Sequence, residues 1–213
     1  MNAKEYFELM IKAHVEQPLN VYEMIIKITK TAAPNSQGIK KLEQEESWRP
    51  FYPPIFNYII SCIEVFLEKH FLEKYIKPDG TKYLTIEDWQ SDLPNFMANF
   101  EWPSKKTKEK ITKTFSFQRL PSVEVLYSVA LGKFFDNYVN YGIIKIMFAK
   151  RHLFTHRGGF IDKKFLHDYN AFQNINPSMQ LSRNDIGKIA YLKKEEVRDS
   201  IIEAKAFIDF ICN

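Results

Sequence analysis

The sequence of 213 residues is 45% hydrophobic and 26% charged, a balance typical of a folded globular protein and not of a disordered chain. Only seven residues are glycine, and alternating apolar and polar positions are rare, so we expect a helical protein. The two cysteines have no CxxC or zinc-finger spacing and are interpreted as buried thiols of a reducing compartment. The sequence has neither a signal core nor an apolar run of about 18 residues, which predicts a cytoplasmic protein outside the membrane.

The net charge of +4 is unevenly distributed along the chain. Residues 1–99 hold 11 Lys and Arg against 14 Asp and Glu, a net charge of −3. Residues 100–213 hold 19 against 12, a net charge of +7. The basic half favours a polyanionic ligand such as RNA, although a solvated lysine-rich surface would give the same count.

The first 48 residues predict a separate helical extension. Apolar stripes run along residues 3–16 and 21–33, and Pro18 between them is predicted to end the first helix. Turn-forming residues follow at 34–38. We therefore divide the chain into a two-helix N-terminal appendage, residues 1–48, and a main helical domain, residues 49–213.

Three long helices are predicted in the main domain, at residues 55–76, 123–156 and 193–211, bounded by proline, serine and glycine signals. Gly132 and Gly142 are two points where the second helix could break. The third helix has a heptad-like seam that packs in a bundle or against a second copy, with apolar residues at Val197, Ile201, Ala204, Ile208 and Ile211. The fold class is therefore an all-α, up-and-down helical bundle.

Shorter elements are predicted between these helices. Residues 161–169 have the pattern of a short helix, and residues 186–192 that of a short extended piece. Upstream, residues 81–103 are interpreted as an aromatic-anchored loop or short helices, and residues 104–115 as a short basic helix with Ser104 as its N-cap.

The candidate functional segment is Lys150-Arg151-His152-Leu153-Phe154-Thr155-His156-Arg157-Gly158-Gly159, at the end of the second predicted helix. His152 and His156 lie one turn apart on one face, with Thr155 beside them. Arg151 lies roughly 140° around the axis from His156, so a compact Arg/His site requires a flexible Arg stem or a partner's residues. A basic last turn followed by Gly is also an ordinary helix ending, which leaves a purely structural interpretation open.

This pattern, Arg151-His152-x-x-x-His156-x-x-Gly159 on a long helix of an all-helical chain, resembles the signature of the HEPN superfamily (higher eukaryotes and prokaryotes nucleotide-binding). That signature is an Arg, four to six residues, then a His, and a polar residue often follows the Arg. The resemblance covers roughly residues 50–213. It implies a HEPN-like bundle that forms a homodimer with facing motifs and cleaves RNA without a metal or another cofactor. It also implies a toxin–antitoxin or phage-defence setting, with an antitoxin or sensor protein as a further partner.

The chemistry of the residues agrees with this implication. RNA is cleaved without a metal when a base takes the 2′-OH proton, a cation neutralises the phosphate and an acid protonates the leaving oxygen. We assign His156 as the acid/base, Arg151 as the transition-state clamp and His152 as an accessory catalytic residue. Substrate contacts are expected from Thr155, Arg157 and Lys150. We expect substitutions here to spare stability, because the cluster is predicted to lie at an exposed helix end.

Two other interpretations stay open. His152 and His156 have i,i+4 spacing and form a metal site if Asp162 or His167 joins them, although the Glu of an HExxH motif is absent. Alternatively, the domain is a non-catalytic HEPN-type module that binds a nucleotide or a protein partner, and the basic cluster only caps the helix or contacts that partner.

Overall fold

The computed structural model describes residues 1–32, 49–75, 117–172 and 180–213. The helices in these ranges are α1 (Ala3–Ile11), α2 (Gln17–Ala32), α3 (Tyr52–Tyr75), α4 (Leu120–Leu131), α5 (Tyr141–Arg157), α6 (Lys163–Phe172) and α7 (Lys194–Cys212). The same ranges contain no strand, and one isolated antiparallel bridge joins Phe160 to Ile189. The all-α fold class predicted from the sequence is confirmed. Within the described ranges no helix combines the length and apolarity that a membrane crossing requires.

Helices α1 and α2 form one continuous helical stretch, so the prediction that Pro18 ends a helix is wrong. A π-helical turn, Lys12–Glu16, joins them, and the Gln17 N–H donates to the Lys12 carbonyl oxygen. Proline has no N–H and its ring clashes with a carbonyl one turn back; the widened turn accommodates Pro18 without ending the helix. The start of α1 is capped by Asn2 and Glu5, each of which accepts the other's backbone N–H at 2.9 Å.

The N-terminal helices share the core of the main bundle. Phe7 and Ile11 of α1 are fully buried, and the Phe7 ring packs edge-on against Phe66 of α3 at 6.1 Å between centroids. The division of the chain at residue 48 stays a prediction, since residues 33–48 lie outside the described part. The aromatic segment 81–103, the basic helix 104–115 and the loops at 34–38 and 174–178 lie outside it too.

Helix α3 lies at the centre of the bundle and contacts α1, α4, α5 and α7. Its start and end agree closely with the predicted 55–76 helix. The core around it is rich in aromatic rings, and the largest fully buried side chains include Phe56, Phe66, Phe71, Tyr127, Phe135 and Phe207. Burial of such side chains is the main favourable term in the stability of the bundle, at about 1.5–3 kcal/mol for each.

The predicted single helix 123–156 is two helices. Gly132 ends α4 in the left-handed conformation, with φ 62°, and its N–H donates to the Ser128 carbonyl oxygen at 3.1 Å. A 3-10 turn, Phe135–Asn137, follows, and its Phe135 ring is buried against Tyr127. Helix α5 then begins at Tyr141 and runs through Gly142. Of the two break points that the sequence offers, Gly132 is therefore the one used.

The predicted seam of the last helix is confirmed, because all five of its residues are buried in α7. The seam packs against α3 and α5 of the same chain, which is the bundle alternative. The thiols differ from expectation: Cys62 is buried, whereas Cys212 is exposed. Cys212 lies about 100° around the helix axis from the buried Ile211 and so leaves the seam. The short helix predicted at 161–169 appears as α6.

His70 of α3 is a buried polar group with one satisfied nitrogen. The Tyr127 hydroxyl donates to the Leu67 carbonyl oxygen at 2.7 Å, so His70 Nδ1 is the donor to the Tyr127 oxygen at 3.2 Å. His70 Nε2 is consequently unprotonated, and it is buried without a hydrogen-bond partner in the described ranges. Burial, followed by the charges of Lys74 and Lys133, lowers the pKa of His70 to about 4.

This depressed pKa predicts a specific acid sensitivity. The unfolded chain protonates His70 below about pH 6.5 while the folded chain resists until about pH 4, so the folded state loses stability as pH falls through that window. His70→Phe keeps the stacking on Phe66 and Tyr127 and removes the titration. Urea unfolding at pH 7, 5.5 and 4.5 should show a shallower decline for this variant than for wild type. The exposed His167→Phe serves as control, and equal declines for His70→Phe and wild type would refute the assignment.

Candidate functional site

The last turns of α5 are packed on three sides. Leu153 is buried against Phe165 of α6, and Phe154 packs edge-on against Phe56 of α3 at 6.2 Å between ring centroids. Arg151 lies toward α3 as well. These contacts leave a sector of roughly 100° of the helix surface outside the packing, and its side chains are exposed: Thr155, His152 and His156.

Glycine is favoured at each of the two positions that follow α5, for a different structural reason at each. Gly158 is the left-handed cap, with φ 58°, and ends the helix. Gly159 is buried at φ 84°, and a Cβ there would lie 3.4 Å from the Phe154 ring and 3.5 Å from the Ala190 carbonyl oxygen. Both positions thus favour glycine, and the pair turns the chain from α5 into the bridge with residue 189.

His152 and His156 form a close pair of exposed imidazoles, with ring centroids 4.8 Å apart and planes tilted by 48°. Partial burial, followed by the charges of His156, Lys164 and Arg157, lowers the pKa of His152, and Asp162 opposes the shift. A lowered pKa increases the neutral fraction of His152 near pH 7. The pair can therefore combine a neutral imidazole that accepts a proton with a second imidazole that donates one.

Arg151 lies on the inner side of α5 and not at an exposed helix end, so the reason for expecting its substitution to spare stability does not apply to it. Its Nη1 donates to Glu64 Oε1 of α3 at 2.6 Å, and the two side chains are 22% and 8% exposed. The cause is visible in the spacing, because Arg151 follows the buried Ile144 and Met147 at i+7 and i+4. Arg151 and His156 thus point to different surroundings, as their angular separation predicts.

Glu64 is the functional candidate that the sequence reasoning missed. It stands on the core side of α3, one turn after Ile60 and one turn before Leu67, both fully buried. A carboxylate at such a position requires a cation, and this requirement is the signal that could have found the pair. Burial raises the pKa of Glu64 to about 7, while the Arg151 guanidinium opposes the rise. The carboxyl therefore exchanges its proton near neutral pH.

The predicted substrate contacts Lys150 and Arg157 already have acidic partners. Lys150 forms an ion pair with Glu196 of α7. Arg157 Nε lies 3.3 Å from Asp162 Oδ2, and Asp162 Oδ1 accepts the Phe165 N–H at 2.7 Å at the start of α6. Thr155 is exposed beside the imidazoles. The structure thus brings His152, His156, Thr155 and Arg157 to one end of α5, and directs Lys150 and Arg151 to other helices.

The three-ligand metal site considered from the sequence is not assembled by the described side chains. Over the described ranges, no group of three or more His, Cys, Asp and Glu residues is placed to hold an ion. His167 contributes instead to a local contact with Asp168, at 3.2 Å between Nδ1 and Oδ1.

Fold and site together define an all-α helical bundle protein with an exposed histidine pair at the end of a packed helix. Comparisons of the chain with family models, with curated proteins and with solved structures found no match. Membership of the HEPN superfamily consequently stays a prediction from the sequence motif.

The Glu64–Arg151 pair predicts a pH-dependent stability effect. Arg151→Met leaves the buried carboxyl without its cation and should lower the free energy of unfolding by about 1–3 kcal/mol at pH 8. The loss should shrink at pH 5, because a carboxyl with a pKa of about 7 is then protonated and needs no cation. Urea unfolding of the variant at both pH values measures the difference.

Glu64→Gln completes this test. The folded chain holds the Glu64 proton between about pH 4.5 and 7 and the unfolded chain does not, so wild-type stability has a component that falls as pH rises through this window. Glu64→Gln should remove that component. Asp209→Asn, which breaks the exposed Lys4–Asp209 pair, is the matched control and should change stability little at either pH. Equal losses in Arg151→Met and this control at both pH values would contradict a buried pair.

Proposed function

We propose that this chain is a metal-independent endoribonuclease that cleaves RNA through attack of the 2′-OH on the adjacent phosphate. The observation that carries the proposal is the exposed His152–His156 pair, with ring centroids 4.8 Å apart. Two imidazoles at this separation can serve the two proton transfers of one phosphodiester. Among the described residues they lie on an exposed sector of the α5 end, so a substrate can reach them.

The cleavage step is balanced without a co-reactant. Neutral His152 takes the proton from the 2′-OH, the 2′-oxygen bonds to phosphorus, and the P–O5′ bond breaks as protonated His156 gives its proton to the leaving oxygen. The products are a 2′,3′-cyclic phosphate and a 5′-OH. The lowered pKa of His152 supports its role as the base. In the sequence analysis His152 has only an accessory role, and the proposal now makes it one of the two proton-transfer residues.

In this proposal, cations at the end of α5 stabilise the negative charge of the phosphate. Arg157 is 58% exposed in its side chain, and Lys164 of α6 acts electrostatically on His152, so both lie near the imidazoles. Arg151 gives Glu64 one N–H and retains other guanidinium donors, with 22% of its side chain exposed. These donors stabilise the charge of the pentavalent phosphate.

The active species in this proposal is a homodimer. In one copy Arg151 is engaged by α3, away from His156, so a compact Arg/His site is more easily completed by a second copy. An isologous contact between two exposed α5 sectors brings both sets of side chains to one cleft. We also propose that the protein acts in the cytoplasm in a toxin–antitoxin or phage-defence system, with an antitoxin or sensor as partner. This part of the proposal is supported only by the resemblance to the HEPN signature.

The second candidate is a non-catalytic module that binds a nucleotide or a protein. The observation that favours it is the Glu64–Arg151 pair, because it gives the Arg of the motif a role in the fold without any catalysis. The exposed cations and imidazoles at the end of α5 would then only bind an anion.

The nuclease proposal predicts a selective loss of turnover. His156→Ala and His152→Ala should each reduce RNA cleavage by about 10²–10⁴-fold, the range of a proton-transfer residue, with melting temperatures close to wild type. Arg151→Lys, which keeps the charge opposite Glu64, should lose the planar donor fork and most of the cleavage. The assay uses total RNA and tRNA in excess chelator, with the cyclic phosphate product identified by mass.

His167→Ala is the matched control for these variants, since His167 is an exposed histidine outside the pair and should be dispensable. Full cleavage by His156→Ala would defeat the assignment. RNA or nucleotide binding without any cleavage by wild type would favour the non-catalytic module.

The dimer predicts complementation between two inactive variants. If Arg151 of one copy acts with His156 of the other, a mixed dimer of Arg151→Lys and His156→Ala contains one intact composite site. Equal mixing with subunit exchange should therefore restore on the order of a quarter of wild-type cleavage. Light scattering should give twice the chain mass of 25.2 kDa. A monomer at micromolar concentration, or mixing without recovery, would count against a shared site.

A further inference from the structure

The contact between Glu64 and Arg151 joins α3 to α5 next to the exposed sector of α5. Arg151 Nη1 donates to Glu64 Oε1 at 2.6 Å. Thr155 follows Arg151 by four residues, so it lies one turn further along the same side of the helix, and it is exposed. His152 directly follows Arg151 and is exposed as well. Arg151 therefore lies at the border between the packed and the exposed sides of α5, with 22% of its side chain exposed.

Glu64 is a rigid anchor for a flexible side chain. An arginine stem has large rotamer entropy, so a guanidinium that nothing holds spreads over many positions. The Glu64 side chain is only 8% exposed and stands on the core side of α3. Its contact with Nη1 fixes one N–H of the planar guanidinium, and the remaining N–H donors are then fixed in direction too.

Stability alone does not explain a carboxyl at position 64. The residues one turn before and one turn after it on the core side of α3, Ile60 and Leu67, are apolar and fully buried. An apolar side chain at 64 would continue this core. Burying an ion pair removes two charges from water, and apolar side chains of similar volume are often as stable or more stable. A carboxyl that the core does not call for is a candidate for a role in the chemistry.

We propose that Glu64 is a positioning residue for RNA cleavage: it holds the Arg151 guanidinium at the border of the exposed sector, with the remaining N–H groups available to the phosphate. The inference rests on the proposed function, which assigns Arg151 to the phosphate. Donors that are oriented before the reaction stabilise developing charge without reorganising. Burial raises the pKa of Glu64 and the Arg151 charge opposes the rise, so the two groups interact by charge as well as by the hydrogen bond. Glu64 transfers no proton and acts only through Arg151.

The first test measures kcat and KM of the full chain, with tRNA as the substrate and chelator in excess. Glu64→Leu removes the anchor and should lower kcat about 10²-fold, the loss that a small misplacement of a catalytic group causes. KM should change little, because Arg151 serves the transition state more than the bound substrate. Glu64→Gln keeps an oxygen that accepts the Arg151 N–H and should lose no more than about tenfold in kcat.

A paired replacement separates positioning from a role in the fold. Arg151→Met alone should lower both kcat and the melting temperature. Adding Glu64→Leu removes the buried carboxyl and should return the melting temperature to that of wild type or above. If the pair serves only the fold, kcat should return with the stability. If Glu64 positions Arg151, kcat should stay at the level of Arg151→Met without a further loss.

The matched control is Glu124→Gln. Glu124 is a partly buried carboxyl of α4 that also contacts α5, since its Oε2 accepts the Tyr141 O–H at 3.0 Å. Tyr141 is the first residue of α5, so this contact lies at the opposite end of the helix from the imidazoles. The variant should keep the kcat of wild type, and light scattering should give the same mass for every variant.

The outcomes separate the positioning role from the nuclease. Cleavage that needs His156 but proceeds at wild-type kcat in Glu64→Leu overturns the positioning role and leaves the nuclease standing. Recovery of kcat in the double variant, or an equal loss in Glu124→Gln, overturns it too. A loss in Glu64→Leu that Glu64→Gln largely avoids, with no recovery in the double variant, supports it. Wild type that leaves tRNA and total RNA intact defeats the nuclease and the positioning role together.

Discussion

Helix α3 is enclosed by α1, α4, α5 and α7, and this enclosure determines what its polar side chains can do. A polar group on such a helix is removed from water and costs free energy unless a neighbour satisfies it. The buried residues of α3 include a carboxyl, Glu64, and an imidazole, His70, and each is met by a neighbouring helix, through Arg151 and Tyr127 respectively. The rotation of α5 is thereby constrained, since Arg151 must stay within reach of Glu64.

Once Arg151 is turned inward, helical geometry decides the position of the other motif residues. His152 and His156 lie roughly 100° and 140° further round the axis. Leu153 and Phe154 occupy the packed sides toward α6 and α3, so the imidazoles remain on the open sector. The ion pair in the interior and the exposed histidine pair are therefore two consequences of one helix orientation.

The parts of the fold that the sequence predicted are those in which one helix buries one continuous pattern. The α7 seam and the extent of α3 follow from periodicity and from proline, glycine and serine signals alone. The errors lie where tertiary packing overrides a local signal. A π-turn carries the helix through Pro18, and burial of the Phe135 ring accompanies the break after Gly132.

The site divides in the same way. The closeness of His152 and His156 follows from i,i+4 spacing, so it was predictable from sequence. The partners Glu64 and Glu196 come from helices 87 and 46 residues away in the chain, and no local pattern pairs them with Arg151 and Lys150. The only sequence signal for such a partner is Glu64 itself, because a carboxylate at a core position of α3 indicates that a cation lies nearby in the fold. The isolated bridge between Phe160 and Ile189 likewise joins two segments that no pattern in the sequence connects.

The arginine and the histidines of the motif therefore differ in how much they indicate about function. Arg151 has a partner within the fold whether or not the protein is an enzyme, because it is the cation beside the buried Glu64. His152 and His156 have no comparable structural duty, since both are exposed and neither fills the core. A side chain that the fold does not need is the more informative about chemistry. The proposed proton transfer therefore depends on the two histidines. Arg151 supports it only through the guanidinium N–H groups that do not bond Glu64 and remain available to a phosphate.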